Sequence, residues 1–214
     1  TIIGVALFPD VRAIRAAQEA VLAGGGGPRV DPKFTLVRNL PVLYELPAFT
    51  LTERSGAALS GRDLAGRVWI ADFIFTFCAG PCPMMTQRMG ELQASLADLE
   101  KLRLVSFSVD PLRDTPDVLT TYAKRFGADA ERWLFLTCKD EQIIRDLAID
   151  GFKLLARDAT PDELEKGTDA ILHSTNFVLV DVLGRVRGFY DALEPASMEQ
   201  LLSDARKLYD AGGR

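Results

Sequence analysis

The strongest constraint on the fold is a long apolar run that leads into a helix. Residues 67–77 read RVWIADFIFTF, and a run of this kind indicates a strand with both faces covered. A few residues later, Pro83 lacks an N–H and fits only the first turn of a helix, so a helix begins within a residue or two of it. A buried strand that passes directly into a helix predicts an α/β fold.

The chain after this point repeats the alternation. It predicts one mixed sheet with parallel strands at its centre and helices on both faces. The helix after Pro83 should bury Met85, Met89, Leu92, Leu96 and Leu99 on one face. The other predicted segments are an initial hairpin from Phe49 with a turn at Ser55-Gly56, strands at Leu102–Val109 and Trp133–Leu136, helices at Thr115–Phe126, Glu141–Asp150 and Ser197–Tyr209, and a hairpin over Asn176–Tyr190.

Length and composition suggest one core with an extension. With 214 residues, 48% of them hydrophobic, the chain suits one sizeable domain. We expect an N-terminal apolar and helical extension with a Gly-rich tether over 1–29, an extended linker over 30–46, and an α/β domain over 47–211. The apolar start, Thr1–Phe8, is far shorter than the roughly 20 residues that cross a bilayer. It is either the end of a membrane anchor or a segment that packs on a protein surface.

Charge argues against a nucleic-acid partner. There are 25 Lys and Arg against 30 Asp and Glu, giving a net charge of -5, and no basic block interrupts this balance. Three cysteines are too few for a disulfide scaffold. Their chemistry therefore matters more than their contribution to stability.

Two cysteines, Cys78 and Cys82, lie between the buried strand and the helix. Ligands of open α/β sheets bind at the carboxyl ends of the strands, which is this position. The helix N-terminus also favours thiolate over thiol. The three intervening residues allow the sulfurs to chelate one soft ion or to form a disulfide. A two-residue gap would favour the redox pair of thioredoxins, so the wider spacing favours a metal.

His173 is the only histidine and precedes a strand. A hydrogen-bonded structural histidine is the alternative, but an imidazole on a loop is also a suitable third ligand. Two thiolates and one imidazole match copper, as Cu(I) or Cu(II), whereas structural zinc normally takes four ligands. Only Cys138 remains as a further cysteine, and we expect it to be an inert thiol.

Several neighbouring side chains have two interpretations each. Met84 and Met85 could lend thioether ligands to copper, although helical spacing places Met85 in the core. Asp110 and Asp114 could support the ligands from nearby. For Asp114, capping of the next helix is the competing interpretation.

Three blocks together resemble the SCO/SenC family: Phe75–Pro83 (FTFCAGPCP), Phe107–Pro116 (FSVDPLRDTP) and His173–Thr175 (HST). The resemblance covers about Pro47 to Tyr209. It implies a thioredoxin-like fold, α/β with a central mixed sheet flanked by helices. It also implies one copper ion bound by Cys78, Cys82 and His173.

The same resemblance implies a copper metallochaperone that assists assembly of the dinuclear copper centre of a cytochrome oxidase. The implied partner is the copper subunit of the oxidase or another copper carrier. The implied location is periplasmic or otherwise extracytoplasmic, with membrane association through an N-terminal anchor. The alternative is a thiol-disulfide oxidoreductase that keeps partner cysteines reduced, in which Cys78, the more exposed sulfur, attacks and Cys82 resolves.

Overall fold

The structure is a computed structural model that describes residues 40–78, 80–154 and 174–213. The strands in these ranges are β1 (Tyr44–Glu45), β2 (Thr50–Glu53), β3 (Ala58–Ser60), β4 (Trp69–Ile74), β5 (Arg103–Ser108), β6 (Trp133–Thr137), β7 (Asn176–Val180) and β8 (Arg185–Asp191). The α-helices are α1 (Cys82–Ser95), α2 (Pro116–Arg125), α3 (Glu141–Asp146) and α4 (Pro195–Asp210), with a 3-10 turn at Gly61–Leu64 and a π-helical turn at Leu147–Gly151.

All of these strands join one sheet in the order β1-β8-β7-β4-β5-β6-β2-β3. The three central strands β4, β5 and β6 are parallel, and the remaining neighbours pair antiparallel. This confirms the predicted mixed sheet with a parallel centre. The carboxyl ends of β4, β5 and β6 meet at one edge, which we call the carboxyl edge.

Alternate residues of β4 enter two separate cores, because successive side chains of a strand point to opposite faces. Ile70 and Ile74 pack in a cluster with residues of α1, α2 and α4. Trp69 and Phe73 pack in a second cluster with Ile144 of α3 and its neighbours. All six residues of β4 are buried, as the apolar run predicts. Helices on both faces of the sheet are confirmed.

Helix α1 begins at Cys82, with Pro83 in its first turn as predicted. The predicted buried face is also confirmed, although the helix ends at Ser95 and the last two members of the face lie beyond it. The buried residues of this face are Met85, Met89, Leu92, Leu96 and Leu99. Because this face packs on the sheet, the start of α1 is held firmly beside the end of β4.

Two predicted boundaries are wrong. The strand expected to reach Phe77 ends at Ile74, because the chain turns there and the N–H of Cys78 donates to the carbonyl of Phe75. The helix expected to reach Asp150 changes to a π-helical turn after Asp146. A hydrogen bond of 2.8 Å from the N–H of Phe152 to the carbonyl of Leu147 closes this wider turn.

The described chain starts within the predicted linker. Leu40 is buried, its carbonyl oxygen accepts hydrogen bonds from the guanidinium group of Arg187, and β1 pairs with the edge of β8. The predicted 1–29 extension and the first part of the 30–46 linker lie outside the described residues. The domain bounds therefore stay a prediction.

Candidate metal site at the carboxyl edge

A tight turn carries Cys78 away from the end of β4. Its N–H donates to the carbonyl oxygen of Phe75 at 3.2 Å, which closes a turn over residues 75–78. The N–H of Gly80 then donates to the Sγ atom of Cys78 at 3.3 Å. These two backbone contacts fix the first sulfur just before α1 begins at Cys82.

The two cysteine side chains are both buried and lie in contact. Cys78 is 8% exposed and Cys82 5%, so Cys78 is only slightly the more accessible, and neither is in a disulfide. The Cys78 side chain is close enough to raise the pKa of the Cys82 thiol. The sulfurs therefore form one unit that can share an ion or become oxidised to a disulfide.

The expectation that both positions favour thiolate is wrong for Cys82. The neighbouring Cys78 side chain raises the pKa of the Cys82 thiol, and burial raises it further, while the backbone near Phe75 lowers it. The charge of Asp72 also acts to raise it. The raised pKa keeps this thiol protonated, so Cys82 must lose a proton when it binds a metal.

His173 lies outside the described residues, so the structure does not place it beside the cysteines. The chain that follows it is described. β7 runs antiparallel to β4, with Val178 opposite Ala71, so β7 starts at the carboxyl edge, and the N–H of Asn176 donates to the Ser174 hydroxyl at 3.2 Å. Within the described ranges, no three His, Cys, Asp or Glu side chains are grouped so as to hold a metal ion.

The two aspartates of the second sequence block have different surroundings. Asp110 pairs with the exposed side chain of Arg113 at 3.0 Å. Asp114 is fully buried, and its carboxyl group accepts hydrogen bonds from Thr76 and Ser108. Burial raises the pKa of Asp114, and these hydrogen bonds partly offset the effect. The cap of α2 is Thr115, so the capping interpretation of Asp114 is wrong.

Three further sulfur-containing side chains were considered as ligands or as inert groups from the sequence. Met85 is fully buried in the core, whereas Met84 is 54% exposed at the first turn of α1. Cys138 follows β6 at the carboxyl edge, where its thiol donates to the carbonyl of Asp140 at 3.0 Å. Burial raises the pKa of Cys138, which keeps this thiol protonated and unreactive.

Three large apolar side chains are exposed at the carboxyl edge. Phe77, inside the turn, is 69% exposed, and Leu112, in the loop after β5, is 75% exposed. Met84, in the first turn of α1, is 54% exposed, whereas both cysteines are buried. We call these three residues the apolar rim.

Sequence reasoning missed Asp72, a carboxyl group at the centre of β4. It is fully buried on the face of the sheet that α1 and α2 cover, and neither oxygen has a hydrogen-bond partner among the described residues. Burial raises its pKa to about 7, and the nearby Ser106 lowers it only in part without reaching hydrogen-bond geometry. The available signal was one acidic residue inside the apolar run WIADFIF.

Similarity to known proteins shows which family the chain belongs to. The SCO1/SenC family profile matches residues 43–210. The chain belongs to the SCO1/SenC family. The SCO1 protein homolog of Bacillus subtilis is 35% identical over 167 residues, which cover 78% of this chain and 83% of the relative. A protein of Stutzerimonas stutzeri, provisionally named as copper-binding, is 33% identical over 151 residues, 70% of each chain.

Solved structures of other SCO1/SenC proteins share the fold. A SCO1/SenC family lipoprotein from Bacillus anthracis superposes with a TM-score of 0.69 at 32% identity, covering 78% of this chain and 95% of the other. BsSco, described with a disulfide switch and as a member of the Sco family of cytochrome c oxidase assembly proteins, has a TM-score of 0.66 at 34% identity over 79% and 94%. This SCO1/SenC protein therefore has the predicted thioredoxin-like fold.

Proposed function

We propose that this SCO1/SenC protein is a copper metallochaperone that binds one copper ion through Cys78, Cys82 and His173 and assists assembly of a cytochrome oxidase copper centre. The observation that carries the proposal is the contact between two buried cysteine side chains at the carboxyl edge. The relative named as copper-binding supports the choice of metal, and the oxidase-assembly description of BsSco supports the pathway.

The donor set fits copper as cargo. Soft thiolates select Cu(I), and an added imidazole also suits copper. A pair of sulfurs already in contact needs little rearrangement to hold one ion. Because the pKa of Cys82 is raised, copper binding releases the proton of this thiol.

The third ligand in this proposal is His173. Support comes from the position of β7, which starts at the carboxyl edge and is preceded along the chain by Ser174 and then His173. The imidazole would close the site after the two thiolates capture the ion. A partner that offers competing soft ligands would then remove the copper.

The proposed partner is the copper subunit of an oxidase or another copper carrier, and the proposed location is extracytoplasmic and membrane-associated. The Bacillus anthracis relative is described as a lipoprotein, which supports membrane association. Within residues 40–78, 80–154 and 174–213, no helix is long and apolar enough to span a membrane.

A second candidate function is thiol-disulfide exchange that keeps partner cysteines reduced. The contact between the two cysteine side chains favours it, as does the disulfide switch described for BsSco. In this function Cys78 attacks and Cys82 resolves. The two functions differ in their need for His173, because copper binding requires this residue and thiol-disulfide exchange does not.

Competition for Cu(I) against a chromogenic chelator tests the proposal. We expect the reduced wild type to bind one Cu(I), Cys82→Ser to lose retention, and His173→Ala to weaken it while insulin disulfide reduction stays unchanged. Cys138→Ser is the matched control, since this thiol bonds to its own loop and should not affect binding. Full copper retention by Cys82→Ser, or none by the wild type, would contradict the metallochaperone.

A further inference from the structure

The carboxyl group of Asp114 joins the ends of two central strands. It is fully buried, and its Oδ2 atom accepts from the Ser108 hydroxyl at 2.6 Å and from the Thr76 N–H at 3.1 Å. Its Oδ1 atom accepts from the Thr76 hydroxyl at 2.5 Å. Ser108 is the last residue of β5, and Thr76 lies two residues before Cys78.

Thr76 belongs to the turn that presents the first cysteine. It is the second residue of the turn over 75–78, which a single backbone hydrogen bond of 3.2 Å closes. The next residue, Phe77, is 69% exposed, so the outer side of the turn has little packing. The N–H and the hydroxyl of Thr76 both donate to Asp114, which makes this carboxyl group the inner anchor of the turn.

The carboxyl group is not needed to close its own loop. The N–H groups of Arg113 and Asp114 donate to the carbonyl of Asp110 at 3.2 and 2.9 Å, and these contacts fold the loop by backbone alone. Thr115 caps α2 by accepting from the N–H of Val118 at 3.4 Å. What the Asp114 side chain adds is therefore its connection to Thr76 and Ser108.

We propose that Asp114 is a positioning residue for the cysteine pair. By holding Thr76, it keeps the sulfur of Cys78 against that of Cys82, where both can bind one ion or form one bond. The proposal rests on the proposed function only in assuming that the cysteine pair binds copper. The closeness of the two sulfurs is measurable without copper.

Equilibrium with dithiothreitol measures this closeness. The protein dithiol and oxidised dithiothreitol give the protein disulfide and reduced dithiothreitol: one S–S bond forms, another breaks, and two electrons and two protons pass to dithiothreitol. The equilibrium constant increases with the effective concentration of one thiol beside the other. Alkylation followed by peptide mass mapping reports Cys78 and Cys82 separately from Cys138.

Asp114→Ala should lower this equilibrium constant by at least about tenfold, equal to about 30 mV, because the turn loses its inner anchor. Asp114→Asn keeps an oxygen that accepts from Thr76, and the hydroxyl groups can rotate to accept from its amide. We expect the equilibrium constant of Asp114→Asn to stay within about threefold of wild type. Thr76→Val, which loses only the hydroxyl contact, should fall between the two and serves if Asp114→Ala does not fold.

Asp204→Ala is the matched control. This buried carboxyl group accepts from Tyr190 at 3.0 Å and from Gln200 at 2.8 Å, and neither residue belongs to the cysteine turn. It should lower stability and leave the equilibrium constant within about twofold of wild type.

Three results would overturn the positioning role: an unchanged constant in folded Asp114→Ala, an equal fall in Asp204→Ala, or equal falls in the Asn and Ala variants, which would make charge the cause. If Asp114→Ala does not fold, a constant for Thr76→Val equal to that of wild type would also overturn it. A wild type that binds no Cu(I) would overturn the metallochaperone and leave this measurement intact. Failure of the two proposals is therefore distinguishable.

Discussion

The buried carboxyl group of Asp72 should make the protein less stable as the pH rises. Its pKa is raised from 3.8 to about 7 by burial, and neither oxygen has a hydrogen-bond partner in the part of the chain that the structure describes. Below pH 4 the group is protonated in both the folded and the unfolded chain, so it carries no ionisation cost. Above pH 4 the unfolded chain loses this proton first, and the free energy of unfolding falls until about pH 7, where it levels off.

The magnitude follows from the two pKa values. The gap between 3.8 and about 7 is about 3 pH units, and each is worth about 1.4 kcal/mol, so the full effect is about 4 kcal/mol. Between pH 4.5 and 8 the expected part is about 3 kcal/mol. Asp72→Asn is neutral at every pH and should not show this decrease.

Urea unfolding of reduced, metal-free wild type and Asp72→Asn at several pH values tests the sign and the size. We expect the stability of the variant relative to wild type to grow by about 3 kcal/mol from pH 4.5 to pH 8. Subtracting one profile from the other cancels the contributions of the titrating groups that both proteins share, including His173. Parallel profiles would refute the reasoning, since they would mean that Asp72 titrates alike in both states.

Asp63→Asn supplies a control of opposite sign. This carboxyl group is exposed, and the hydrogen bonds from the hydroxyl and N–H of Ser60 lower its pKa. A lowered pKa gives stability that is present above the ordinary value and lost as the pH falls. Wild type should therefore gain stability relative to Asp63→Asn as the pH rises.

Two further predictions concern the sheet edge and the cargo. Arg187→Met should lower the free energy of unfolding by about 3 kcal/mol, because it leaves the buried Asp181 with only Arg185 as a charged partner and the Leu40 carbonyl unpaired. Thermal or urea unfolding measures this, with Arg206→Met at the exposed Asp98 pair as a control that we expect to cost much less. An equal cost in both variants would contradict the assigned burial effect. Apparent Cu(I) affinity should rise between pH 6 and 8, about tenfold per pH unit for each proton released, because the pKa of Cys82 is raised. An affinity independent of pH would show that the thiols are already ionised.

The sequence predicted the central part of the fold because there one strong signal has one structural meaning. The apolar run of β4 can only be covered on both faces, and Pro83 can only stand at a helix start. β1 has two residues and no period, so nothing in its sequence distinguishes an edge strand from a linker. The π-helical turn at Leu147–Gly151 depends on how the following residue, Phe152, bonds back, which no local pattern encodes.

The candidate site was predictable in its residue types and not in its electrostatics. A strand, two cysteines and a helix in succession predict that both cysteines lie at the carboxyl edge, and the structure has them there. The protonation of Cys82 was not predictable, because it depends on contact with Cys78 and on burial. The role of Asp114 was hidden for the same reason: its partner Thr76 is 38 residues away in sequence.

The near-complete closure of the sulfurs has a kinetic consequence. Cys78 and Cys82 are 8% and 5% exposed, and the apolar rim lies at the same edge of the sheet. We expect a dissolved competitor to reach a copper ion held there only when the turn opens. The rate of copper loss is then set by this opening and not by the copper affinity alone. The half-life of the loaded protein should then level off as competitor concentration rises, whereas a carrier that engages the rim directly can shorten it.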